Sequence, residues 1–298
     1  MPKSHRLDHK PFLVPPGKKV NLADYDPAYT AGFKDKAAAR AALLEDVSEL
    51  AEMQDKFWAS KQFAMIIVFQ ALDAAGKDST IKHVMSGVNP QGVDVYSFRA
   101  PSEEERQHHF LWRPMRVLPA AGKISIFNRS YYEEVLVVRV HPNFLDAQPL
   151  VRDLRKKGLD QLWKTRYEEI NAFEHLLSSE NTRVIKFFLN VSKEEQRQRF
   201  LARLDDAEKN WKFSVADLHE RGFWDDNQKA YSEMLGATST EEAPWYIIPA
   251  DKKWFMRACV ADIISARLRE LHTEYPHISD KEATELVDAK KLLEAEAN

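Results

Sequence analysis

An uninterrupted apolar run at residues 64–69, followed at once by a loop of small residues, constrains the fold of this chain more than any other segment. Six apolar residues in a row fit a strand that is buried on both faces, as in a parallel sheet. Further strand-like segments lie at residues 93–98, 124–127, 183–189 and 245–248, and helical patterns occupy residues 34–61, 102–112, 159–178, 192–204 and 252–271. Strands that alternate with helices predict an α/β fold with a doubly wound parallel sheet.

The length of 298 residues fits one large α/β domain with appendages. Residues 1–33 contain five prolines and are expected to form an extended N-terminal arm. We assign residues 34–275 to the main domain. Residues 276–298 are acidic and rich in alanine and glutamate, which indicates a surface helix or tail.

Charge and apolar content exclude several classes of partner. The formal net charge is -3, so no global basic field would attract nucleic acid or an anionic membrane. No window approaches the ~18 uninterrupted apolar residues of a membrane span, and no apolar signal core is evident near the start. The single cysteine, Cys259, lies in an apolar helical stretch and is expected to be a buried core thiol. We therefore expect a cytoplasmic protein whose polyanion site, if it has one, is a local concentration of lysine and arginine.

The loop at residues 71–77 has the composition of a phosphate-binding loop. Ala74, Ala75 and Gly76 are small enough for backbone amides to curl around an oxyanion, and Lys77 stands where a helix begins. Two positions depart from the usual pattern, since Ala71 replaces a glycine and Asp78 a serine or threonine. An ordinary strand–helix turn is the alternative.

Two features near this loop favour phosphate binding. Asp73 lies within the loop, where a carboxylate beside phosphates makes chemical sense mainly if a divalent cation bridges them. Ser79 offers a hydroxyl at the start of the following helix.

A second group of polar residues follows the strand at residues 124–127. Asn128 stands where an acidic residue that faces Mg²⁺ would usually lie, and Glu133 or Glu134 could supply the missing charge. Arg129 could contact a phosphoryl oxygen in a bidentate manner, although a surface salt bridge is the alternative.

A third group of cations lies on a helix and the loop that follows it. Arg197, Arg199, Arg203 and Lys212 resemble a kinase lid, which closes over phosphates and excludes water, although a solvated charged face is the alternative. The middle segments add Arg106, Arg113, Arg116 and Arg139. Such clustering in a chain of negative net charge favours an elongated anionic substrate. His108 and His109 are assigned to packing, because they lack metal-ligand spacing.

These segments together resemble the polyphosphate kinase 2 family, and most of all its class III. The resemblance spans residues 60–270 and rests on DAAGKD at 73–78, GVDVYSF at 92–98, LWR at 111–113, FNRSYYE at 127–133, NWKFS at 210–214 and WYIIPAD at 245–251. It implies a three-layer αβα P-loop kinase fold like thymidylate kinase, with a helical lid at about residues 203–222. It also implies a homo-oligomer, either a dimer or a tetramer.

The resemblance implies a reversible, Mg²⁺-dependent transfer of a phosphoryl group from inorganic polyphosphate to AMP, ADP or both, with Mn²⁺ as a substitute metal and GMP or GDP as further acceptors. By position it assigns catalysis to Asp73, Lys77, Arg129 and Arg203, and the metal to Asp73 and Glu133. Phosphate or polyphosphate binding falls to Ala74, Ala75, Gly76, Lys77, Asp78, Ser79, Lys82, Arg113, Arg116 and Lys212. Nucleotide binding falls to Asn128, Arg129, Glu133 and Arg139.

Asn128, in place of aspartate, favours class III, whose members accept both mono- and diphosphates, and leaves an enzyme that accepts monophosphates only as an alternative. Two further alternatives stay open. One is a nucleotide kinase that uses ATP as the donor, and the other is a protein that binds polyphosphate or nucleotides without turnover.

Overall fold

The computed structural model describes residues 7–148, 156, 158–208 and 210–296. Five parallel strands form one sheet in the order β2-β3-β1-β4-β5. Their bounds are β1 Ala64–Gln70, β2 Val93–Ser97, β3 Ile124–Asn128, β4 Thr182–Asn190 and β5 Trp245–Pro249. All five strands lie where the sequence predicts them, and every residue of β1 is buried, as its unbroken apolar run requires.

Helices cover both faces of the sheet, which gives the predicted three layers. Leu50, Phe57 and Val84 belong to the core on one face, and Ile170 and Met234 to the core on the other. The helices are α1 Lys36–Ser60, α2 Lys77–Val84, α3 Glu103–Gln107, α4 Trp112–Met115, α5 Val137–Val140, α6 Leu159–Ser179, α7 Lys193–Leu204, α8 Val215–Glu220, α9 Trp224–Thr238, α10 Lys253–Arg269 and α11 Asp280–Glu296.

Two helix predictions need correction. The single helix predicted at residues 102–112 is two short helices, α3 and α4, because the backbone at His108 is extended (φ -102°, ψ 165°) and its ring stacks on Trp112 at 4.1 Å. Helix α9 was not predicted at all, although Met234 and Leu235 are fully buried on it.

The arm before α1 is more deeply packed than its proline content suggests. Leu13 forms an antiparallel bridge with Tyr246 on β5, and the side chains of Phe12 and Val14 are buried. The amide of Val14 donates to the Trp245 carbonyl at 2.9 Å, and that of Ile247 donates to the Phe12 carbonyl at 2.8 Å. The arm therefore covers the outer edge of the sheet at β5.

A buried cysteine and the absence of a membrane span are both expected from the sequence. Cys259 is a free thiol that is fully buried on α10, as expected. Within the described ranges, no helix is both long enough and apolar enough to cross a bilayer.

Candidate active site

The loop between β1 and α2 has the backbone geometry of a phosphate cradle. Ala74 and Gly76 adopt left-handed conformations, with φ of 61° and 110°. Gly76 is the residue before α2, and a Cβ built on it would lie 3.1 Å from the Met256 side chain. The loop therefore turns sharply into the helix. The first amides of the helix have no intrahelical partner and can donate hydrogen bonds to an anion.

Helix α7 holds this loop through side chains that donate to its carbonyls. Gln196 Nε2 donates to the Asp73 carbonyl at 2.9 Å, and the buried Arg199 donates through Nη1 to the carbonyls of Ala74 (3.0 Å) and Ala75 (2.6 Å). Arg199 also donates to the Ala250 carbonyl, just after β5. The carbonyls of Asp73, Ala74 and Ala75 are therefore all engaged by α7, which fixes the conformation of the loop.

Lys77 is the first residue of α2, and its side chain is only 8% exposed. Its Nζ donates to the Ala71 carbonyl at 2.8 Å, so the side chain folds back along the loop. Burial lowers the pKa of Lys77 below its usual value, and the charge of Arg129 lowers it further, against the attraction of Asp73 and Glu133. An anion bound in the loop would offset the cost of burying the positive charge of Lys77.

The ends of β1 and β3 lie side by side, because Phe69 pairs with Asn128 in the sheet. Asn128 Nδ2 donates to Asp78 Oδ1 at 2.7 Å, and Arg129 Nη2 donates to Asp73 Oδ1 at 2.7 Å. These contacts join the two polar segments that the sequence singles out. Arg129 itself has a left-handed backbone, with φ of 62°.

Glu133 lies behind this pair in a 3-10 helix, Tyr131–Val135. Burial raises the pKa of Glu133 above its usual value, while the charges of Arg129 and Lys77 act to lower it. Glu133 is therefore close to the cations of the site, although it is not among the residues that line the cavity in front of them.

A cavity of about 1030 Å³ opens in front of the loop. Many predicted site residues line it, namely Asp73, Ala74, Gly76, Lys77, Asp78, Ser79, Asn128, Arg129 and Arg203. Arg199, predicted as a lid cation, lines it too, and so do residues that the prediction did not include, among them Arg99, Trp211, Asp217 and Lys253. Ala75 is the buried residue of the loop, and its carbonyl accepts a hydrogen bond from Arg199.

Besides Ala75 and Glu133, four predicted binding residues lie outside the lining of this cavity. Lys82 is exposed on α2 outside its lining. Arg113 pairs with Glu105 at 3.1 Å, and Arg116 lies over the Trp112 ring at 4.6 Å. Arg139 donates to the Tyr167 hydroxyl at 2.7 Å and pairs with Glu233. The Lys212 side chain lies outside the described residues, although its backbone belongs to a 3-10 helix, Asn210–Lys212.

Lys253 lines the cavity, and its position in the sequence could have predicted this. It opens α10, only a few residues after β5. Because the carboxyl ends of parallel strands meet at one edge of a sheet, a lysine in that position could have been placed beside the phosphate loop.

A divalent cation fits this site through oxygen ligands. Among the residues that the structure describes, no three His, Cys, Asp or Glu side chains gather as a metal cluster. Mg²⁺ in phosphoryl-transfer sites commonly needs only one or two carboxylates, because substrate phosphates and water complete its shell. The Asp73 carboxylate on the cavity wall, with Glu133 behind it, is compatible with that requirement.

Comparison with known proteins decides the family. The family model described as polyphosphate kinase 2 matches residues 33–276. The chain belongs to the polyphosphate kinase 2 family. Its membership makes it an enzyme, a phosphotransferase with a P-loop kinase fold, and the family found by resemblance in the sequence is confirmed, whereas class III stays a prediction.

Relatives and solved structures support this family over nearly the whole chain. An "ADP-polyphosphate phosphotransferase" of Rhodopseudomonas palustris is 44% identical over 97% of this chain and 99% of its own. An "AMP/ADP-polyphosphate phosphotransferase" of Meiothermus ruber is 43% identical over 90% of this chain and 95% of its own. The crystal structure of polyphosphate kinase 2 from Arthrobacter aurescens TC1 superposes with a TM-score of 0.83, at 38% identity, and covers 94% of this chain and 96% of that one.

Proposed function

We propose that this polyphosphate kinase carries out a reversible, Mg²⁺-dependent transfer of a phosphoryl group from inorganic polyphosphate to AMP and ADP, with GMP and GDP as further acceptors. One observation carries the proposal. The 1030 Å³ cavity collects Lys77, Arg129, Arg203 and Lys253 on its walls in a chain whose net charge is -3. Its volume is at the upper end of small-ligand sites, which suits two anionic substrates bound together.

The donor side is assigned to the cations beyond Lys77. Burial lowers the pKa of Lys253, and the charges of Arg199, Arg257 and Arg203 lower it further. Burial likewise lowers the pKa of Arg257, with Arg199 as the next cause. Buried cations that repel one another in this way are stabilised by a bound polyanion. Polyphosphate fits this requirement, because it carries negative charges along its whole length.

The acceptor side is assigned to the segment after β3. Asn128, held by Asp78, takes the position that favours class III, and we propose on this basis that both mono- and diphosphates are accepted. The relatives' names are compatible with this choice, since one names ADP and the other AMP and ADP. We keep the proposed roles of Lys82, Arg113, Arg116 and Arg139 only as outer contacts, because the structure engages the last three elsewhere.

In this mechanism the chain's own residues position charge and need no general base. Lys77 at the helix start contacts the phosphoryl group in transfer, and Arg129 and Arg203 stabilise the negative charge on its oxygens. The acceptor phosphate is already ionised at neutral pH, so alignment of its oxygen with the donor suffices. Lid closure, with Lys212 as a contributor, would exclude water that could otherwise accept the phosphoryl group.

Asp73 and Glu133 would hold the metal, directly or through water. When bound, Mg²⁺ or Mn²⁺ would neutralise negative charge on the phosphates. Arg129 donates a hydrogen bond to Asp73, so a metal that binds Asp73 would also affect the position of the Arg129 side chain.

Domain boundaries, localisation and assembly also stay proposals. We propose the divisions at residues 33 and 275, a lid at about residues 203–222, a cytoplasmic location and a homodimer or homotetramer. Exposed apolar side chains, such as Val95 on the edge strand β2 (51% exposed), support self-association, and the molar mass in solution tests it.

The test of the proposed function is phosphotransfer from long-chain polyphosphate with Mg²⁺, with AMP, ADP, GMP and GDP supplied separately and products separated by chromatography. ATP from both AMP and ADP is the expected result. Product from ADP alone would contradict the assignment drawn from Asn128, and no product from any acceptor would contradict the proposed reaction.

A further inference from the structure

A buried polar network lies between the sheet and helices α6 and α9, away from the cavity. Its centre is Lys186 on β4, which is 0% exposed, paired with Glu174 on α6, which is 1% exposed. Lys186 Nζ donates to Glu174, to the Tyr132 hydroxyl at 2.9 Å and to the Thr238 carbonyl at 2.7 Å, which uses all three of its protons. Because buried ion pairs often contribute no more stability than apolar residues of the same shape, stability alone is a weak reason for this pair.

The network reaches the active site through two tyrosines. Glu174 Oε1 accepts hydrogen bonds of 2.7 Å from the hydroxyls of both Tyr131 and Tyr132. Both residues follow Arg129 closely in the chain, and both are buried. One carboxylate oxygen therefore fixes the chain directly after the arginine that lines the phosphate cavity.

Arg129 needs such support because its backbone is strained. Its φ of 62° is a left-handed conformation that is unfavourable for a non-glycine residue. Conformations of this kind persist only where the surroundings hold them. Before the tyrosines, the Arg129 amide donates to the Phe69 carbonyl at 3.0 Å, and Ser130 Oγ accepts from Gln70 Nε2 at 3.1 Å and from the Tyr132 amide at 3.2 Å.

The same network fixes helix α9, which carries Tyr231. Thr238, the last residue of α9, accepts from Lys186 through its carbonyl and from Trp245 Nε1 through its hydroxyl at 2.9 Å. Tyr231 on this helix is close enough to Glu133 and Arg129 for their charges to act on it. Lys186 therefore ties the Arg129 segment and α9 to one point on the sheet.

We propose that Glu174 and Lys186 are positioning residues, which hold Tyr131 and Tyr132 and thereby place Arg129 and Glu133 for phosphoryl transfer. The proposal rests on the roles given above to Arg129 and Glu133. It predicts that the network affects turnover through geometry, beyond any effect on folding.

The test removes only the two hydroxyls, in the variant Tyr131→Phe/Tyr132→Phe. The matched control is Tyr246→Phe on β5, a buried tyrosine whose hydroxyl accepts from Arg267 Nε at 2.9 Å and does not touch the Arg129 segment. Thermal midpoints and steady-state kinetics with polyphosphate and ADP are measured for each, and rates are expressed per folded molecule.

We expect the double variant to lose about tenfold or more in kcat, since misplacement by about an ångström has effects of that order, while its KM for polyphosphate changes by less than about twofold. The control should lose a similar amount of thermal stability and keep the wild-type kcat. Wild-type kcat in the folded double variant would overturn the proposal. If the double variant does not fold, Tyr132→Phe alone carries the same comparison.

A second readout asks whether the tyrosines act through Arg129. In an Arg129→Ala background, removal of the two hydroxyls should lower kcat by less than about twofold further, because residues that act through one another are not additive. A full, multiplicative loss would contradict the proposal. A large loss in Arg129→Ala with none in the tyrosine variant would overturn this proposal alone, whereas a wild-type protein without turnover would overturn the proposed function as well.

Discussion

Arg129 Nη2 donates a 2.7 Å hydrogen bond to Asp73 Oδ1, and this contact joins the end of β3 to the loop after β1. The two side chains are 42% and 33% exposed, so the pair contributes little to stability, typically about 0–1 kcal/mol. Its significance is geometric, because it sets an arginine and a proposed metal ligand on the wall of one cavity.

Replacement of Asp73 by asparagine should separate function from stability. We expect Asp73→Asn to lower kcat by about a hundredfold or more through loss of the proposed metal ligand, and to change the free energy of unfolding by less than about 1 kcal/mol. Kinetics over a range of Mg²⁺ concentrations and urea unfolding measure the two effects. Asp94→Asn is the matched control, since Asp94 forms a similarly exposed pair with Lys123, and it should leave both quantities unchanged.

Lys77 and Lys82 lie on the same helix with different surroundings. Lys77→Met should lower kcat by about a thousandfold, because it removes a cation at the transferred phosphoryl group. Lys82→Met should keep turnover within about twofold, since Lys82 is exposed outside the cavity lining. Equal losses in the two variants would contradict the site as described, and near-normal turnover in Lys77→Met would contradict the role of Lys77.

The lowered pKa of Lys77 should make the stability of the protein depend on pH. Its pKa in the folded protein lies below the usual 10.5, so the unfolded chain binds more protons between that lowered value and 10.5. The unfavourable burial of the charge is fully present below the folded pKa and disappears as the pH rises toward 10.5. Lys77→Met should therefore be more stable than the wild type at neutral pH, with a difference that shrinks at alkaline pH. Urea unfolding of both proteins from pH 7 upward measures it, and a difference that grows with pH would contradict the assignment.

Arg199 lines the cavity and should also support the phosphate loop through its hydrogen bonds to the loop carbonyls. Its guanidinium holds the carbonyls of Ala74, Ala75 and Ala250 while buried, so Arg199→Met should destabilise the protein by about 2–4 kcal/mol. Arg197→Met, two residues away, replaces an exposed arginine paired with Glu194, and should change stability by less than about 0.5 kcal/mol. Thermal and urea unfolding of the two variants make the comparison, and similar values for both would show that the clamp is dispensable.

The sheet could be predicted because its strands are buried on both faces. The run that became β1 contains no polar interruption, and a parallel strand covered by two helical layers needs that pattern. Helix α9 escaped prediction because its buried positions include Asn227 and Thr238 beside Met234 and Leu235, which weakens the apolar pattern.

The polar site was partly predictable, because its two segments follow neighbouring strands. Individual cations were harder to place, since the sequence does not show their partners. The sequence predicts nucleotide binding by Arg139, whereas in the structure Arg139 contacts Tyr167 and Glu233. Arg199 and Arg203, four residues apart on α7, line the cavity together, whereas Arg197 faces solvent, a difference that helical spacing could have predicted.

The choice of donor tests the central claim most directly. Purified protein is given AMP and Mg²⁺ with either long-chain polyphosphate or ATP as the phosphoryl donor, and Lys77→Met serves as the inactive control. Formation of ADP and then ATP from polyphosphate, absent in Lys77→Met, is the result that the account predicts. Transfer from ATP with none from polyphosphate would contradict it and identify a nucleotide kinase, and binding of polyphosphate without any transfer would contradict the enzyme assignment.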